Sequence, residues 1–216
     1  MVEKLYVTYN DVHRLCQESA PRMLESFKPQ LMIAIGGGGY VPARILRSFL
    51  KQQGQPNIPI QAIGLSLYEE LPIAHEANAT TGAVDQIGTK VTRTQWLDFT
   101  SLGGMENLVG KRILIVDEVD DTRTTLEYAV KELEKDVAAV SEKLGKGGEK
   151  TEFSIFVLHN KDKPKKGTLP ADMEQNKYLA AQTVGDVWIC YPWEATDIEE
   201  HDRLSAEQKQ KKTSSS

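Results

Sequence analysis

Cysteine is scarce in this chain of 216 residues, which contains two. Cys16 and Cys190 cannot form the disulfide framework of a small secreted domain, so we expect both to be reduced and the protein to be cytoplasmic. The four histidines are dispersed, and neither they nor the cysteines show metal-ligand spacing. No hydrophobic run approaches the length that crosses a membrane, and the N-terminal segment does not resemble a signal peptide. The sequence therefore predicts neither a zinc site nor a membrane protein.

Basic residues are fewer than acidic ones. The chain has 26 Lys and Arg residues and 31 Asp and Glu residues, which gives a formal net charge of −5. This balance does not indicate a general affinity for nucleic acid. The length is enough for one α/β domain with a sizeable core, or for a core with a small hood. We expect that domain to end near residue 206. The segment 207–216, rich in Lys, Gln and Ser, is predicted to be a disordered tail.

The most informative stretch is residues 113–125. Four apolar residues, Ile113 to Val116, predict a strand buried on both faces, as in a parallel sheet. Acidic residues follow the strand directly: Asp117, Glu118, Asp120 and Asp121. Hydroxyl side chains come next, at Thr122, Thr124 and Thr125. Apolar residues then recur at helical spacing, which predicts a helix that starts near Arg123.

This order of strand, acidic turn, hydroxyl loop and helix has a chemical meaning. A helix N-terminus presents unpaired N–H groups and a positive dipole end, so it can bind a phosphate. Carboxylates would repel that phosphate and therefore serve sugar hydroxyls, a cation or a proton in transfer. Asp and Thr are also ordinary helix caps. Four acids within five positions nevertheless destabilise a fold unless a ligand, cation or proton relieves them, which favours a sugar-phosphate site.

A second strand is predicted at Leu31 to Ile35, and the glycines of 36–39 follow it. Pro42 suits the first turn of the next helix. The run lacks the third glycine of a dinucleotide-binding fingerprint and the lysine of a Walker A loop. Taken alone, it is equally consistent with a phosphate site and with a plain tight turn.

The other elements are predicted more briefly. Residues 9–27 have helical periodicity, and Pro21 is expected to kink or split that helix. Strands are predicted at residues 58–68, 91–97, 153–158 and 178–183. Residues 69–90 form a long, weakly patterned connection, which predicts either a lid or an exposed hairpin. The lysine-rich run after residue 160 is typical of a solvated surface.

Residues 116–125 resemble the phosphoribosyl-pyrophosphate (PRPP) motif of type I phosphoribosyltransferases, and most closely that of the 6-oxopurine branch with its fungal hypoxanthine–guanine and xanthine enzymes. The resemblance implies an α/β fold with a mainly parallel sheet flanked by helices. It implies one domain, with a core at about 28–160 and a small hood from the N-terminal segment and about 161–206. It also implies transfer of 5-phosphoribosyl from PRPP to N9 of hypoxanthine, guanine or xanthine, giving IMP, GMP or XMP and pyrophosphate.

The same resemblance implies the following site residues. Asp117 and Glu118 hold the ribose, and Asp121 acts on the purine N7 as the catalytic acid/base. The 5′-phosphate lies on residues 121–125, namely Asp121, Thr122, Arg123, Thr124 and Thr125. Arg123 stands where most of the superfamily has Gly. Pyrophosphate binds Gly36, Gly37, Gly38 and Gly39, and Arg44 is available because the usual cation near Gly37 is missing.

The base contacts implied are Lys161 with the 6-oxygen, Trp188 by stacking and Ile189 through its backbone. The lid is flanked by Ser66, Tyr68 and Arg93. Mg²⁺ is the expected cofactor, held by Asp117, Glu118 and Glu194, and a homodimer is expected. The alternative within the fold is a non-catalytic sensor of PRPP or nucleotides. An RNA-binding regulator is disfavoured by the negative net charge, and a nucleotide-binding oxidoreductase by the missing glycine.

Overall fold

The structure is a computed structural model that describes residues 3–69, 89–97 and 105–214. Its strands are β1 Lys4–Tyr6, β2 Leu31–Ile35, β3 Ile60–Glu69, β4 Thr89–Gln95, β5 Arg112–Asp120, β6 Glu152–Lys161, β7 Tyr178–Val184 and β8 Trp188–Cys190. Its α-helices are α1 Tyr9–Ser26, α2 Tyr40–Leu50, α3 Thr124–Lys143, α4 Ala171–Asn176 and α5 Ile198–Ser214. No helix in the described part of the chain combines the length and apolar character that crossing a membrane requires.

The central sheet has six strands in the order β4-β3-β2-β5-β6-β7. Five of them run parallel, and β4 returns antiparallel to β3. Successive residues of β5 point to opposite faces of the sheet. Ile113 and Ile115 pack with α3, whereas Leu114 and Val116 pack with α1 and α2. Both faces are covered, which is why the strand is apolar without interruption.

The two chain ends meet beside this sheet. Strand β1 pairs in parallel with β8, and α5 lies against β1. His201 Nε2 contacts the Val7 carbonyl at 2.8 Å, and Ser205 Oγ donates to the Tyr6 carbonyl at 3.0 Å. We call β1, β8 and α5 the hood. The predicted boundaries of core and hood stay a prediction.

Two expectations about helices are changed by the structure. Helix α1 is not split at Pro21, because buried residues before and after the proline hold both halves against the same core, and a kink there stays a prediction. The tail expected to be disordered from residue 207 is instead helical to Ser214. The start of this segment is held in place by side-chain contacts. Gln208 forms hydrogen bonds with the Tyr6 N–H and the Lys4 carbonyl, and Lys209 forms an ion pair with Asp11.

Candidate active site

A cleft of about 280 Å³ opens at the carboxyl ends of β2 and β5. Strand β5 continues through Asp120, so three of the four acids expected to follow the strand lie at its carboxyl end instead. The pairing of Ala34 with Val116 places the glycine turn after β2, residues 36–39, directly beside this acidic end of β5. Gly36, Gly38 and most of residues 117–126 line the cleft. This edge is where open α/β sheets place their ligands. The structure thus brings together two stretches that the sequence separates by about 80 positions.

Asp117 and Glu118 form the acidic side of the cleft. Asp117 is 8% exposed, and its Oδ1 accepts the Glu118 N–H at 2.9 Å. Burial raises the pKa of Asp117 well above its usual range, and the neighbouring Glu118 charge adds to the effect. Burial and the nearby Glu194 carboxylate raise the pKa of Glu118 to about 7. Glu118 Oε2 is buried without a hydrogen bond of normal geometry, although the Trp193 side chain is close enough to lower the pKa of Glu118 in part. A further donor or a cation would therefore stabilise this side of the cleft.

The glycine turn is shaped by close contacts. Gly37 has a φ of 90°, which L side chains rarely adopt. A Cβ on Gly39 would lie 2.5 Å from the Val116 carbonyl oxygen. A Cβ on Gly38 would overlap Glu118, since it would lie 0.9 Å from Oε2. The turn can therefore approach the acidic residues only because it carries no side chains.

Arg44 was expected to supply positive charge to this turn. It lies on α2, where Nη1 donates to Ser48 Oγ at 2.9 Å. Ser48 is one helical turn farther from the glycines, so the predicted pyrophosphate contact is not formed in this conformation and stays a prediction.

The phosphate loop, residues 121–125, leads into the N-terminus of α3. Arg123 has a φ of 68°, the left-handed conformation that glycine adopts easily, and α3 begins at Thr124 without a side-chain cap. The hydroxyls of Thr122 and Thr124 lie 3.0 Å apart. The backbone N–H of Gly167 donates to the Thr122 carbonyl at 3.0 Å, which holds the loop from outside. The uncapped N–H groups with these hydroxyls form a site suited to an anion.

The guanidinium of Arg123 is engaged away from its predicted phosphate role. Its Nε donates to Asp120 Oδ2 at 3.0 Å, its Nη1 pairs with Glu174, and its Cζ lies 5.2 Å from the Tyr178 ring centroid. Tyr178 also donates its hydroxyl to Asp120 Oδ2 at 2.8 Å. The guanidinium is therefore already paired, and a phosphate contact by residue 123 stays a prediction. Asp120, which the sequence grouped with the ligand-facing acids, is the buried acceptor of this network.

Asp121 has two lysine partners. Lys161 Nζ lies 3.1 Å from Oδ2, and Lys163 Nζ lies 2.9 Å from Oδ1. Burial alone would raise the pKa of Asp121, but the hydrogen bonds from Lys163 and Lys161 outweigh it, so the pKa is lowered. The structure therefore joins the predicted catalytic acid and the predicted base-binding lysine. Lys163 also pairs with Asp186 at 2.9 Å, which the sequence did not suggest.

The predicted base end of the site lies on the hood. Trp188 is 61% exposed, whereas Ile189 is buried. Trp188 follows Asp186 by two positions, and Asp186 is joined through Lys163 to Asp121. The exposed indole of Trp188 offers a flat apolar surface, and stacking of a base on it stays a prediction.

Two further residues were missed from the sequence. The Tyr191 hydroxyl donates to the Glu118 carbonyl at 3.0 Å and lies 2.9 Å from His159 Nδ1. A hydroxyl has one hydrogen, which goes to the carbonyl, so Nδ1 carries the proton and donates to the hydroxyl oxygen. Burial lowers the pKa of His159 to about 4, which keeps this ring neutral. The partners lie 32 and 73 positions apart, and no local pattern could reveal the bridge.

The predicted lid is described only at its base. Ser66 pairs with Thr92 in the hairpin of β3 and β4. Arg93 forms an ion pair with Glu132 of α3, and its Cζ lies 3.9 Å from the Trp96 ring centroid. It therefore fixes the returning strand to α3. The Tyr68 side chain and residues 70–88 lie outside the described residues, so closure over the site stays a prediction.

The predicted metal ligands do not form a closed cage. Among the residues that the structure describes, no group of three or more His, Cys, Asp or Glu side chains has an arrangement that could hold a metal ion by itself. Asp117 and Glu118 are adjacent, and Glu194 is near enough to influence the pKa of Glu118.

Comparison with known proteins places this geometry in a family. No protein-family model matches the chain. Hypoxanthine-guanine phosphoribosyltransferase of Schizosaccharomyces pombe is 57% identical over 199 residues, which cover 92% of this chain and 93% of the relative. Xanthine phosphoribosyltransferase 1 of Saccharomyces cerevisiae is 56% identical over 209 residues, covering 95% of this chain and 97% of the relative. The chain belongs to the hypoxanthine-guanine/xanthine phosphoribosyltransferase family. The resemblance seen in residues 116–125 is thereby confirmed.

Solved structures agree with this phosphoribosyltransferase assignment. A hypothetical protein from Neisseria gonorrhoeae with bound ppGpp has a TM-score of 0.71 and 36% identity, and the match covers 96% of this chain and 98% of that one. A purine phosphoribosyltransferase from Pyrococcus horikoshii has a TM-score of 0.59 and 26% identity, covering 90% and 96% of the two chains. The predicted fold, a mainly parallel sheet flanked by helices, is confirmed.

Proposed function

We propose that this phosphoribosyltransferase transfers the 5-phosphoribosyl group of PRPP to N9 of a 6-oxopurine and releases pyrophosphate. The observation that carries the proposal is one continuous stretch, residues 117–125, which has carboxylates at the end of β5 and leads into the uncapped N-terminus of α3. The acids suit ribose hydroxyls and the amides suit a 5′-phosphate. The relatives named above support hypoxanthine, guanine and xanthine as the candidate bases.

The roles of the acidic residues follow from charge. Breaking the bond at the anomeric carbon develops positive charge on the sugar, and Asp117 and Glu118 hold the ribose with negative potential beside it. Asp121 keeps a lowered pKa and is ionised near neutral pH. It is therefore suited to accept a hydrogen bond or a proton at purine N7, a role typically worth about 10²–10⁴-fold in rate.

We assign the selection of the purine base to Lys161 and to two residues of the hood, Trp188 and Ile189. An ammonium donates hydrogen bonds and cannot accept them, so Lys161 favours a 6-oxo group over a 6-amino group. Trp188 offers the stacking face, and the backbone at Ile189 offers the edge contacts. The shared orientation of Lys161 and Asp121 supports placing O6 and N7 of one purine against these two side chains.

Mg²⁺ fits the acidic side of the cleft. Glu118 Oε2 is buried without a hydrogen bond of normal geometry, and both Asp117 and Glu118 have raised pKa values, as expected where a cation is needed. Mg²⁺ usually retains waters and binds through one or two carboxylates plus substrate phosphates, so a complete protein cage is not required. Asp117 and Glu118, with Glu194 close to the latter, would hold the ion. Once bound, it would supply positive charge to the departing pyrophosphate.

The assay for this function uses PRPP, Mg²⁺ and each of the three bases separately, with detection of IMP, GMP or XMP. We expect turnover with at least one base, and steady-state kinetics then rank the three. Absence of product with all three bases would refute the proposal.

A second candidate is a non-catalytic sensor of PRPP or nucleotides. It is favoured by the orientation of Arg44, which leaves the glycine turn without this cation, and by the ppGpp bound to the neisserial protein. Tight nucleotide binding without turnover would support the sensor. The homodimer and the cytoplasmic location stay predictions, and light scattering of the purified protein tests the former.

A further inference from the structure

We propose that Lys165 is a positioning residue that ties the phosphate loop to the base-binding lysine. The inference rests on the proposed function, because only that function requires a defined distance between the phosphate loop and Lys161. The sequence placed Lys165 in a run typical of solvated surface. The structure instead gives its ammonium a set of three backbone acceptors.

The contacts of Lys165 are short and specific. Nζ donates to the carbonyl oxygens of Asp120 at 2.7 Å, Asp121 at 3.0 Å and Lys161 at 2.9 Å. An ammonium has three N–H donors, and all three are used here. The Asp120 carboxylate also lies near, with Oδ1 at 3.6 Å from Nζ, and the Lys165 side chain is only 14% exposed.

The contacts of Lys165 lie just beyond the last paired residues of β5 and β6. The parallel pairing of β5 with β6 ends at Asp120 and Asn160. Asp121 and Lys161 come one position later. In the proposed function, the side chains of these two residues must contact the same base. Lys165 bridges their carbonyls and thus continues the connection beyond the last strand pair. The ammonium therefore sets the spacing between the N7 acceptor and the O6 donor.

Lys166 offers a matched control. It is the next residue, has the same side chain and is exposed. Its backbone N–H donates to the Thr122 carbonyl at 3.0 Å, and alanine keeps that bond. Lys165→Ala and Lys166→Ala therefore remove the same charge from neighbouring positions, and only the first removes the bridge.

Kinetics of the two variants test the inference. Displacement of a reacting group by about 1 Å can cost about 10²-fold, so we expect Lys165→Ala to lower kcat/KM for the base by about that factor. Lys166→Ala should keep the wild-type value. If Lys165 acts through Lys161, the double variant Lys161→Ala/Lys165→Ala should lose no more base selectivity than Lys161→Ala alone. Wild-type kcat/KM in a folded Lys165→Ala variant would overturn the inference.

Chemical rescue separates positioning from a general loss of charge. Methylammonium and ethylammonium carry three N–H donors and fit the space of a removed lysine end, whereas tetramethylammonium carries charge without a donor. We expect the first two to restore activity to Lys165→Ala and the third to have no effect. Equal effects of all three would contradict the bridge. Should the alanine variant not fold, Lys165→Met keeps the apolar stem and the kinetic comparison is made with it.

The wild-type assay and the Lys165 variants separate a failure of the proposed function from a failure of the positioning role. A wild-type protein without activity on any base would refute the proposed function itself. An active wild type with an unaffected, folded Lys165 variant would refute only the positioning role.

Discussion

Replacing Arg123 by glycine should destabilise the protein even though glycine suits the backbone there. Arg123 and Lys28 are both non-glycine residues with positive φ, 68° and 53° respectively. A left-handed conformation costs an L residue about 1–2 kcal/mol, and glycine avoids that cost. Glycine also loses more conformational freedom on folding, by about 0.5–1 kcal/mol. The backbone change alone should therefore stabilise either position by about 0–1 kcal/mol.

At Arg123, but not at Lys28, loss of the side chain should cost more stability than the backbone change gains. Lys28 is exposed, so its loss removes little. Arg123 is 9% exposed and pairs with Asp120, which is 0% exposed. Removing one partner of a buried ion pair costs about 3–5 kcal/mol. The Asp120 carboxylate retains the Tyr178 hydroxyl and the Lys165 ammonium, which lies 3.6 Å from Oδ1. We therefore expect Arg123→Gly to lose about 2–4 kcal/mol in total, less than for a fully unpaired buried charge.

Thermal unfolding followed by circular dichroism measures both variants. For a chain of this size, 1 kcal/mol corresponds to about 2–4 °C, so Tm should fall by about 5–15 °C in Arg123→Gly. Lys28→Gly should match or slightly exceed the wild type. Adding Asp120→Asn to Arg123→Gly should recover part of the loss, because it removes a buried carboxylate that has lost its closest cation. An Arg123→Gly protein as stable as the wild type would refute the reasoning.

Three other predictions concern catalysis, base binding and pH. Asp121→Asn should keep mononucleotide binding but lower kcat by about 10²-fold or more, and unchanged turnover would remove its assigned role. Lys161→Ala should weaken base binding more than PRPP binding in separate titrations, and equal losses would argue against the base contact. His159 has a folded pKa of about 4 against an ordinary 6.5. Between these values the unfolded chain binds a proton that the folded protein does not, so stability falls as pH drops from 6.5 to 4, by about 3 kcal/mol. His159→Gln should flatten that slope in urea titrations at several pH values, and an unchanged slope would assign the effect to other groups.

The central site could be predicted because its signals are local. The apolar run before Asp117, the acids and the hydroxyls are consecutive, and strand burial and helix periodicity follow from neighbouring residues. Lys161 was identified by resemblance. The structure shows it at the end of β6, paired with Asp121, and its contact with the base stays a prediction.

What could not be predicted depends on distant partners. Asp120 looked like another ligand-facing acid, but Tyr178, which lies 58 positions away, makes it part of a buried network. Lys165 looked solvated because its acceptors are backbone carbonyls, which composition does not reveal. The end of α5 looked disordered, and its bonds to Lys4 and Tyr6 span more than 200 positions.

The ion pairs around Asp121 determine the energetic cost of the proposed base contact. Lys161 must leave Asp121, at least in part, to reach the 6-oxygen of a purine. The Asp121 side chain is 42% exposed and the Lys161 side chain 12% exposed. Fully exposed pairs are worth about 0–1 kcal/mol, so the cost of breaking this partly buried pair lies near the upper end of that range. Lys163 remains 2.9 Å from the other carboxylate oxygen. With this second cation in place, the proposed roles are compatible: Asp121 would stay ionised and available to N7 while Lys161 contacts the base.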